Sequence, residues 1–341
     1  MSGLTLAAVV PSRNGMPWVV DAVRSALEQQ DPPDELIVVD DGSSDGTAAA
    51  LEAAFGDAVT LVRGRFGSAA AARNAGWRAA RSPWIGFLDA DDLWFPEKTR
   101  VAAQVLDGRS AVAWFFSDGA FRTLDGELHA SWLQTYADMS EPYVGQPVAE
   151  LFEVNFILTS SVVVRRDALE KLGGFDERLS HAEDLDLWIR LARRWPATAS
   201  RLALVRYQHR EGGLTRQTEA RLSGDVQLFE SLARDTTLEP ALRERAARRA
   251  RIAHYKLATV ALREGRSREC RRSLKGAWGR ERALAVAAAW GLSWMPRAVI
   301  RMIRSQGWVT RGLGSRVLRL RRVALETPPD RFASLSMREP S

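Results

Sequence analysis

Residues 36–47 read LIVVDDGSSDGT, an apolar run that ends in two adjacent aspartates and a turn of glycine, serine and aspartate. Such a run followed by a turn is typical of a buried strand that leads into a helix. Asp45 or Ser44 is placed to cap that helix, which is a structural role. Capping does not explain Asp40 and Asp41, because adjacent carboxylates repel each other and persist where a ligand donor or a cation needs acceptors. We therefore expect this pair to bind a ligand.

Strand and helix patterns alternate on both sides of this stretch. The predicted strands lie at 4–10, 36–39, 59–62 and 84–88, and the predicted helices at 17–29, 45–55 and 68–80. This order predicts a βαβαβαβ unit with parallel strands. Further along the chain, strands are predicted at 113–116, 120–123, 157–165 and 202–207, and a helix at 184–194. With these strands the sheet is predicted to be mixed.

Two more polar clusters follow predicted strands, where open α/β sheets bind their ligands. Residues 10–15 read VPSRNG and lack the G-x-G-x-x-G pattern of a dinucleotide site. Residues 87–92 read FLDADD, and three carboxylates at a strand end predict a hard-oxygen site suited to Mg²⁺ or Mn²⁺. Within it, Asp92 is instead expected to cap the helix that includes Pro96 and Glu97.

A further acidic cluster, HAEDLDLW at residues 181–188, opens a predicted helix. Acidic side chains in a first helical turn complement the helix dipole, which accounts for Glu183 or Asp186 without any function. A carboxylate that faces the active cleft could instead act as a general base. The sequence alone leaves both interpretations open.

The set of motifs resembles the family 2 glycosyltransferases of the GT-A fold. The motifs are VVDDGSSDGT at 38–47, ARNAG at 72–76, LDADD at 88–92, LGGFDE at 172–177 and AEDLDLW at 182–188. Each alone is weak, but their order and spacing over about residues 4 to 215 are specific. The resemblance implies an α/β fold of the Rossmann-like nucleotide-diphospho-sugar transferase type, with a mixed sheet flanked by helices and a helical C-terminal region.

The resemblance also implies an inverting transfer from a UDP- or dTDP-sugar with Mg²⁺ or Mn²⁺ as cofactor. It implies roles for nine residues: Pro11 and Ser12 beside the nucleoside, Asp40 and Asp41 on the base, Arg73 near the base or diphosphate, Asp89 on the ribose or sugar, Asp91 on the metal, Asp184 as catalytic base, and His209 toward the metal or diphosphate. A retaining double displacement needs a second carboxylate as nucleophile, and the sequence singles none out.

Charge divides the chain into an acidic part and a basic part. Residues 1–210 hold 21 Lys and Arg against 29 Asp and Glu, whereas residues 211–341 hold 27 against 13. We expect a catalytic domain at 1–215 and a helical, Arg-rich region at 216–341, and disorder is expected at the end of this region. Trp290 and Trp294 near Arg297, Arg301 and Arg304 favour attachment to an anionic membrane surface over packing on the catalytic domain.

The remaining expectations concern location and alternatives. Cys270 is the single cysteine, so no internal disulfide can form, and the start of the chain does not read as a signal peptide. We expect a cytoplasmic protein on the inner face of the cell membrane, which adds a sugar to a glycan or lipid-linked acceptor. The alternatives are a nucleotidyltransferase and a non-catalytic sugar-nucleotide or glycan-binding protein on an inactive copy of the fold. Nucleic acid is not expected as a partner, since no binding module is recognised.

Overall fold

A computed structural model describes residues 4–122, 128–130, 133, 143–208, 218–279 and 283–294 of the 341-residue chain. The ten strands are β1 Leu6–Ser12, β2 Glu35–Asp41, β3 Thr60–Gly64, β4 Trp84–Phe87, β5 Leu93–Trp94, β6 Trp114–Arg122, β7 Leu128–Ala130, β8 Tyr143–Gly145, β9 Val163–Arg165 and β10 Ala197–Tyr207. The helices are α1 Trp18–Leu27, α2 Thr47–Phe55, α3 Ala69–Ala79, α4 Lys98–Leu106, α5 Val148–Leu151, α6 Arg166–Leu172, α7 Glu183–Ala192, α8 Thr218–Arg234, α9 Pro240–Arg263, α10 Ser267–Gly276 and α11 Ala283–Leu292.

The strands form one mixed sheet with the order β3-β2-β1-β4-β9-β6-β10-β5, while β7 pairs with β6 and β8 with β10. Strands β3, β2, β1 and β4 run parallel, and β9 is antiparallel to both of its neighbours. The carboxyl ends of β1, β2 and β4 therefore lie at one edge of the sheet. This is the GT-A architecture that the motifs implied.

Alternate residues of β1 face opposite layers of helices, as the twofold period of a strand requires. Val10 packs in one core cluster with Val23 of α1, and Val9 packs in another with Trp77 of α3. All four side chains are at most 5% exposed. The central strand is thus covered on both faces, which fixes its carboxyl end between two helical layers.

The structure corrects three details of the predicted elements. The strands expected at 113–116 and 120–123 are one strand, β6, because the ladder to β10 continues through Gly119. The strand expected at 157–165 begins only at Val163, and Thr159–Ser161 forms a 3-10 turn. The strand expected at 202–207 starts five residues earlier, at Ala197.

Gly76 lets helix α3 lie close against the centre of the sheet. A Cβ atom at this position would fall 2.3 Å from Val9 Cγ1 and 3.0 Å from Val39 Cγ2. We expect Gly76→Ala to lower the free energy of unfolding by about 1–3 kcal/mol, because two buried strands would have to move. The measurement is urea unfolding.

The same substitution at Gly291 serves as the control for Gly76→Ala. Gly291 lies in helix α11 with nothing within 4 Å of the Cβ position. Gly291→Ala is expected to leave stability unchanged or to raise it by about 0.5–1 kcal/mol. Equal effects of the two substitutions would contradict the close packing at Gly76.

The chain divides into two compact units, Met1–Leu257 and Ala258–Ser341. In the first, Phe229 of α8 and Ala246 of α9 belong to the same buried cluster as Val9 and Trp77. The second contains α10 and α11, where Cys270 and Leu274 are buried. The functional boundary at residue 215 stays a prediction, because this division concerns packing alone.

None of the helices within the described ranges has both the length and the apolar character needed to cross a membrane. The basic face expected at Arg297, Arg301 and Arg304 lies outside the described residues.

Candidate active site

The edge of the sheet at the ends of β1 and β2 brings the first two polar clusters together. In the parallel register Pro11 lies beside Val39, and Ser12 lies beside Asp40. Residues separated by nearly thirty positions are thus neighbours, because parallel strands end at the same edge. Ser12 is 4% exposed, and its Oγ lacks a hydrogen-bond partner within the described part of the chain.

Asp40 and Asp41 both bind backbone amides near them. The Ser43 amide donates to Asp40 Oδ1 at 3.0 Å, which closes the turn after β2. Asp41 Oδ1 accepts from the amides of Phe66 and Gly67, which hold the loop between β3 and α3. The other oxygen, Asp41 Oδ2, lies 4.0 Å from Arg13 Nη1. Asp40 and Asp41 therefore hold the backbone at this edge of the sheet. These bonds use only some of the hydrogen bonds that the two carboxylates can accept.

The loops after β1 and β2 are joined by hydrogen bonds. The Asn14 amide donates to Ser43 Oγ at 2.8 Å, and the Met16 amide donates to Asp45 Oδ2 at 3.0 Å. Asp45 Oδ1 also accepts from the Thr47 amide and hydroxyl at the start of α2. The N-cap position of α2 is Gly46 and has no side-chain cap, so the prediction that Asp45 or Ser44 caps this helix is wrong. Asp45 instead fixes the neighbouring loop.

Arg73 of α3 connects two acidic segments that are far apart in sequence. Its Nη2 donates to Asp89 Oδ1 at 2.7 Å, and its Nη1 donates to Glu183 Oε1 at 2.8 Å. Burial alone would lower the pKa of Arg73, but the two carboxylates outweigh it and raise the pKa. A contact of Arg73 with the donor stays a prediction, since both terminal nitrogens are already bound to carboxylates.

The acidic loop after β4 is fixed by Ser160, in the turn before β9. Ser160 Oγ accepts from the Asp89 amide at 3.0 Å and donates to Asp92 Oδ2 at 2.5 Å. Asp92 Oδ1 accepts from the Gln208 amide at 3.1 Å. Burial raises the pKa of Asp92 well above its usual range, and the charges of Asp89 and Asp91 raise it further.

The prediction that Asp92 caps a helix is wrong. Helix α4 starts at Lys98 with Glu97 in the N-cap position and without a side-chain cap. Asp92 instead joins the acidic loop to Ser160 and to the end of β10. Asp89 and Asp91, by contrast, retain exposed area: the Asp89 side chain is 28% exposed and Asp91 is partly buried.

Asp184 lies in the first turn of α7, directly after Glu183. Its Oδ2 accepts from Asn155 Nδ2 at 3.0 Å, and its Oδ1 accepts from the Leu185 amide at 2.7 Å. Burial, followed by the charge of Glu183, raises the pKa of Asp184 to about 6. A carboxylate with this pKa can accept a proton near neutral pH, which a general base must do.

The backbone before Asp184 is strained. Ala182, at the N-cap position of α7, has a φ of 64°, a left-handed conformation that is uncommon for a residue with a Cβ. Non-glycine residues in this region cost of order 1–3 kcal/mol and cluster at functional sites. The strain coincides with the turn that presents Glu183 and Asp184.

Two further motifs, ARNAG through Asn74 and AEDLDLW through Asp186, join the elements around the site. Asn74 Oδ1 accepts from the Phe175 amide at 2.9 Å, and its Nδ2 donates to the Phe175 carbonyl at 2.9 Å, so α3 is joined to the segment before α7. Asp186 pairs with Arg190, whose guanidinium donates to the carbonyls of Leu172 and Gly174. These residues form a framework behind the acidic side chains.

Few of the described side chains could hold a divalent metal ion at this site. No three His, Cys, Asp or Glu side chains converge as a metal site among the residues that the structure describes. Mg²⁺ in nucleotide sites is often held by one or two carboxylates together with substrate phosphates, so Asp91 next to Asp89 fits such an ion. His209, the other predicted ligand, lies outside the described residues.

Sequence reasoning missed three residues of this site: Glu183, Asn155 and Ser160. The helix dipole is enough to account for Glu183 or Asp186 in the sequence, and nothing in the sequence singles out Asn155 or Ser160. The only local signal is that Ser160 lies in a Thr-Ser-Ser step, Thr159–Ser161, inside an apolar run.

The strand order of the sheet and the acidic loop after β4 are those of the GT-A fold. Residues 7–173 match the family described as "Glycosyl transferase family 2". A curated relative, the "Putative teichuronic acid biosynthesis glycosyltransferase TuaG" of Bacillus subtilis, is 32% identical over 141 residues, which are 39% of this chain and 56% of the relative. Three other curated glycosyltransferases match over 58%, 58% and 61% of their lengths, so the chain spans little more than half of such relatives.

Solved structures support the same fold. The S. aureus TarS 1-349 structure in complex with UDP-GlcNAc superposes with a TM-score of 0.65 at 16% identity and covers 89% of this chain and 92% of that one. The mannosyltransferase PcManGT from Pyrobaculum calidifontis, in complex with GDP-Man and Mn²⁺, gives a TM-score of 0.55 at 19% identity and covers 92% and 87%. At these identities the likeness concerns the fold.

Proposed function

We propose that the protein is an inverting glycosyltransferase that moves a sugar from a UDP- or dTDP-sugar to a hydroxyl of a glycan or lipid-linked acceptor in surface polysaccharide or glycolipid synthesis. The observation that carries this proposal is the partly buried Asp184 at the start of α7, which accepts from Asn155 and whose pKa is raised to about 6. It is joined to the acidic loop after β4 through Glu183, Arg73 and Asp89. A base and a donor-binding loop in one connected unit are what a single displacement needs.

In this reaction Asp184 removes the proton from the acceptor hydroxyl. The oxygen forms its bond to the anomeric carbon while the bond from that carbon to the diphosphate oxygen breaks on the opposite face. The proton remains on Asp184 and the nucleoside diphosphate leaves with the bonding electron pair. One displacement inverts the configuration at the anomeric carbon.

The donor would lie along the strand ends. Pro11 and Ser12 are proposed beside the nucleoside, and Asp40 and Asp41 on the base. Two features support this: Ser12 Oγ is buried without a protein partner in the described part of the chain, and Asp41 Oδ2 points toward the exposed Arg13. Asp89, held by Arg73, is proposed on the ribose or sugar.

Asp91 is proposed to hold Mg²⁺ or Mn²⁺, with His209 as a second ligand. When bound, the ion offsets the negative charge that develops on the departing diphosphate. The Mn²⁺ in the PcManGT complex supports a divalent ion in this fold. Ser160 and Asp92 keep the loop that carries Asp91 in one conformation.

The residues of the site argue against two other functions. A nucleotidyltransferase would carry a Gly-rich, basic phosphate loop after the first strand, whereas the turn after β1 is Arg13-Asn14-Gly15. A non-catalytic binding protein on the same fold would be expected to lack an acid at the metal or base position, and Asp91 and Asp184 are both present.

We propose in addition that the C-terminal region attaches the protein to the inner face of the cell membrane. The net basic charge of residues 211–341 supports this proposal. Basic segments are attracted to anionic lipid surfaces. Attachment would place the transferase next to a lipid-linked acceptor.

Calorimetric titration of UDP, dTDP and GDP with and without Mn²⁺ tests the donor site. One nucleotide is expected to bind the wild type with higher affinity when Mn²⁺ is present. Asp91→Ala is expected to lose this Mn²⁺-dependent gain, because the carboxylate that holds the ion is gone. Asp107→Ala removes an exposed carboxylate at the end of α4 and should leave the gain intact.

Failure of all three nucleotides to bind the folded protein would contradict the transferase proposal. Folding is checked in each variant by circular dichroism and by the melting temperature. Binding without any Mn²⁺ effect would remove the metal from the proposal and leave the donor site.

A further inference from the structure

The second compact unit carries a groove that the glycosyltransferase site does not use. It has a volume of about 380 Å³ and lies between helices α10 and α11. We call it the cationic groove; its lining residues are Arg268, Arg271, Arg272, Lys275, Trp290 and Trp294. All six belong to Ala258–Ser341, so the groove is separate from the strand ends described above.

The cations of the groove form one stripe along α10. Arg268, Arg271, Arg272 and Lys275 follow the spacing i, i+3, i+4, i+7, which places them on one helical face. The opposite face holds Cys270 and Leu274, which are buried. The stripe is therefore an outcome of the amphipathic helix and not of the Arg-rich composition alone.

Within the part of the chain that the structure describes, these charges have no carboxylate partner. None of the four forms an ion pair within the described ranges, whereas Arg266, one residue before α10, pairs with both Glu264 and Glu269. Arg268, Arg272 and Lys275 are exposed. A group of like charges without a counter-charge attracts an external anion, because each cation raises the local potential.

Tryptophan side chains form the other wall of the groove. The Arg271 guanidinium carbon lies 4.2 Å from the centre of the Trp294 ring, and its Nη1 donates to the Ser293 carbonyl at 2.9 Å. Trp294 is 66% exposed. A large exposed indole beside fixed cations is the arrangement found at the headgroup level of membranes.

The exposed face of α11 is apolar and continues this arrangement. Ala287, Ala288, Gly291 and Trp294 are exposed and follow helical spacing on one side of the segment. No charged residue occurs between positions 283 and 294. A smooth apolar face that ends in tryptophan can enter the region between headgroups and acyl chains.

We propose that the cationic groove is a docking site for the phosphate headgroups of an anionic lipid bilayer. The four cations bind lipid phosphates, and Trp294 enters the headgroup layer beside them. This inference deepens the membrane attachment proposed above and rests on it, because it assigns that attachment to particular residues of α10 and α11.

Cosedimentation of the full chain with vesicles at low salt tests the proposal. One set of vesicles is pure phosphatidylcholine, and the other contains phosphatidylglycerol as a quarter of its lipid. The wild type is expected to bind the second set far more tightly. Arg268→Gln/Arg272→Gln should lower that affinity about 25-fold, or about fivefold for each charge removed at the surface. These two substitutions leave in place the contacts of Arg271 with Ser293 and Trp294, directly after α11.

The matched control is Arg263→Gln/Arg266→Gln, which removes the same net charge from the same unit outside the groove. Its affinity is expected to stay within about twofold of the wild type. Trp294→Ala should weaken binding about tenfold by removing apolar area from the bilayer contact. A melting temperature and a nucleotide affinity equal to those of the wild type show that each variant is folded.

The outcomes separate the groove from the wider attachment and from the transferase site. If both double variants lose affinity equally, the charge acts diffusely and the groove is not the docking site. If the wild type does not bind anionic vesicles, both the docking role of the groove and the membrane attachment are contradicted. Nucleotide binding still tests the donor site in that case. Preferential binding of a single-stranded oligonucleotide at the same salt would also overturn the proposal.

Discussion

Asp184→Asn is expected to lower kcat by about 100- to 10,000-fold, the range that a positioned general base contributes. Asparagine keeps the shape and can still accept from the Leu185 amide, but it cannot take a proton from the acceptor. Nucleotide affinity should change little, because the residues proposed to bind the donor lie at the ends of β1 and β2, in α3 and in the loop after β4. The measurement is sugar transfer under saturating donor and acceptor, combined with calorimetry of nucleotide binding.

The pH dependence of kcat/KM gives an independent check on Asp184. The base must be deprotonated, and its pKa is raised to about 6, so activity should fall as the pH drops through about 6. Asn155 donates to Asp184 Oδ2 and favours the charged form. Asn155→Ala should therefore move this acidic limb to higher pH, which a structural role alone would not do.

Asp167→Asn is the control for Asp184→Asn. Asp167 is a partly exposed carboxylate on helix α6, where it pairs with Arg165 and Lys171. This variant should keep its activity and its pH profile. Full activity of Asp184→Asn with an unchanged profile would show that another group removes the proton.

Arg73→Met is expected to lower the free energy of unfolding by up to about 3–5 kcal/mol, because it leaves two partly buried carboxylates without their cation. The Arg73 side chain is 7% exposed, and its partners Asp89 and Glu183 are 28% and 12% exposed. Activity should fall as well, since Arg73 positions Asp89 on one side and the turn before Asp184 on the other. Urea unfolding measures the first effect.

Arg78→Met tests whether this loss is specific. Arg78 lies on the same helix α3, but its side chain is 52% exposed and its contact with Glu177 is 3.6 Å long. Exposed pairs of this kind contribute about 0–1 kcal/mol. In a double-mutant cycle, adding Glu183→Gln to Arg73→Met should restore part of the stability, and an additive result would contradict a direct coupling.

The sheet and the position of its acidic residues were predictable because their signals are local. An apolar run that stops at Asp40 or Asp89 marks the end of a strand, and the helical patterns between such runs predict parallel pairing. The motif resemblance implied the GT-A fold, which is confirmed, and the family 2 glycosyltransferases, which residues 7–173 match. The roles assigned to individual site residues stay predictions.

The partners of the site residues could not be predicted, because they depend on contacts between distant segments. Glu183 pairs with Arg73 across 110 positions, and Asp92 bonds to Ser160 across 68. A carboxylate in a first helical turn suffices to explain Glu183 by itself, so nothing local suggests a second partner. The prediction that Asp92 caps a helix likewise rests on local sequence alone, although α4 begins six residues later.

Strand β10 also bears on the order in which the molecule assembles. It pairs with β5, β6 and β8, which lie between residues 93 and 145, although β10 itself begins at residue 197. During synthesis these three strands leave the ribosome well before their shared partner. Pairings of such long sequence separation form slowly, and unpaired strand edges are prone to associate with other chains. We therefore expect the tendency of β5, β6 and β8 to aggregate to fall when β10 pairs with them.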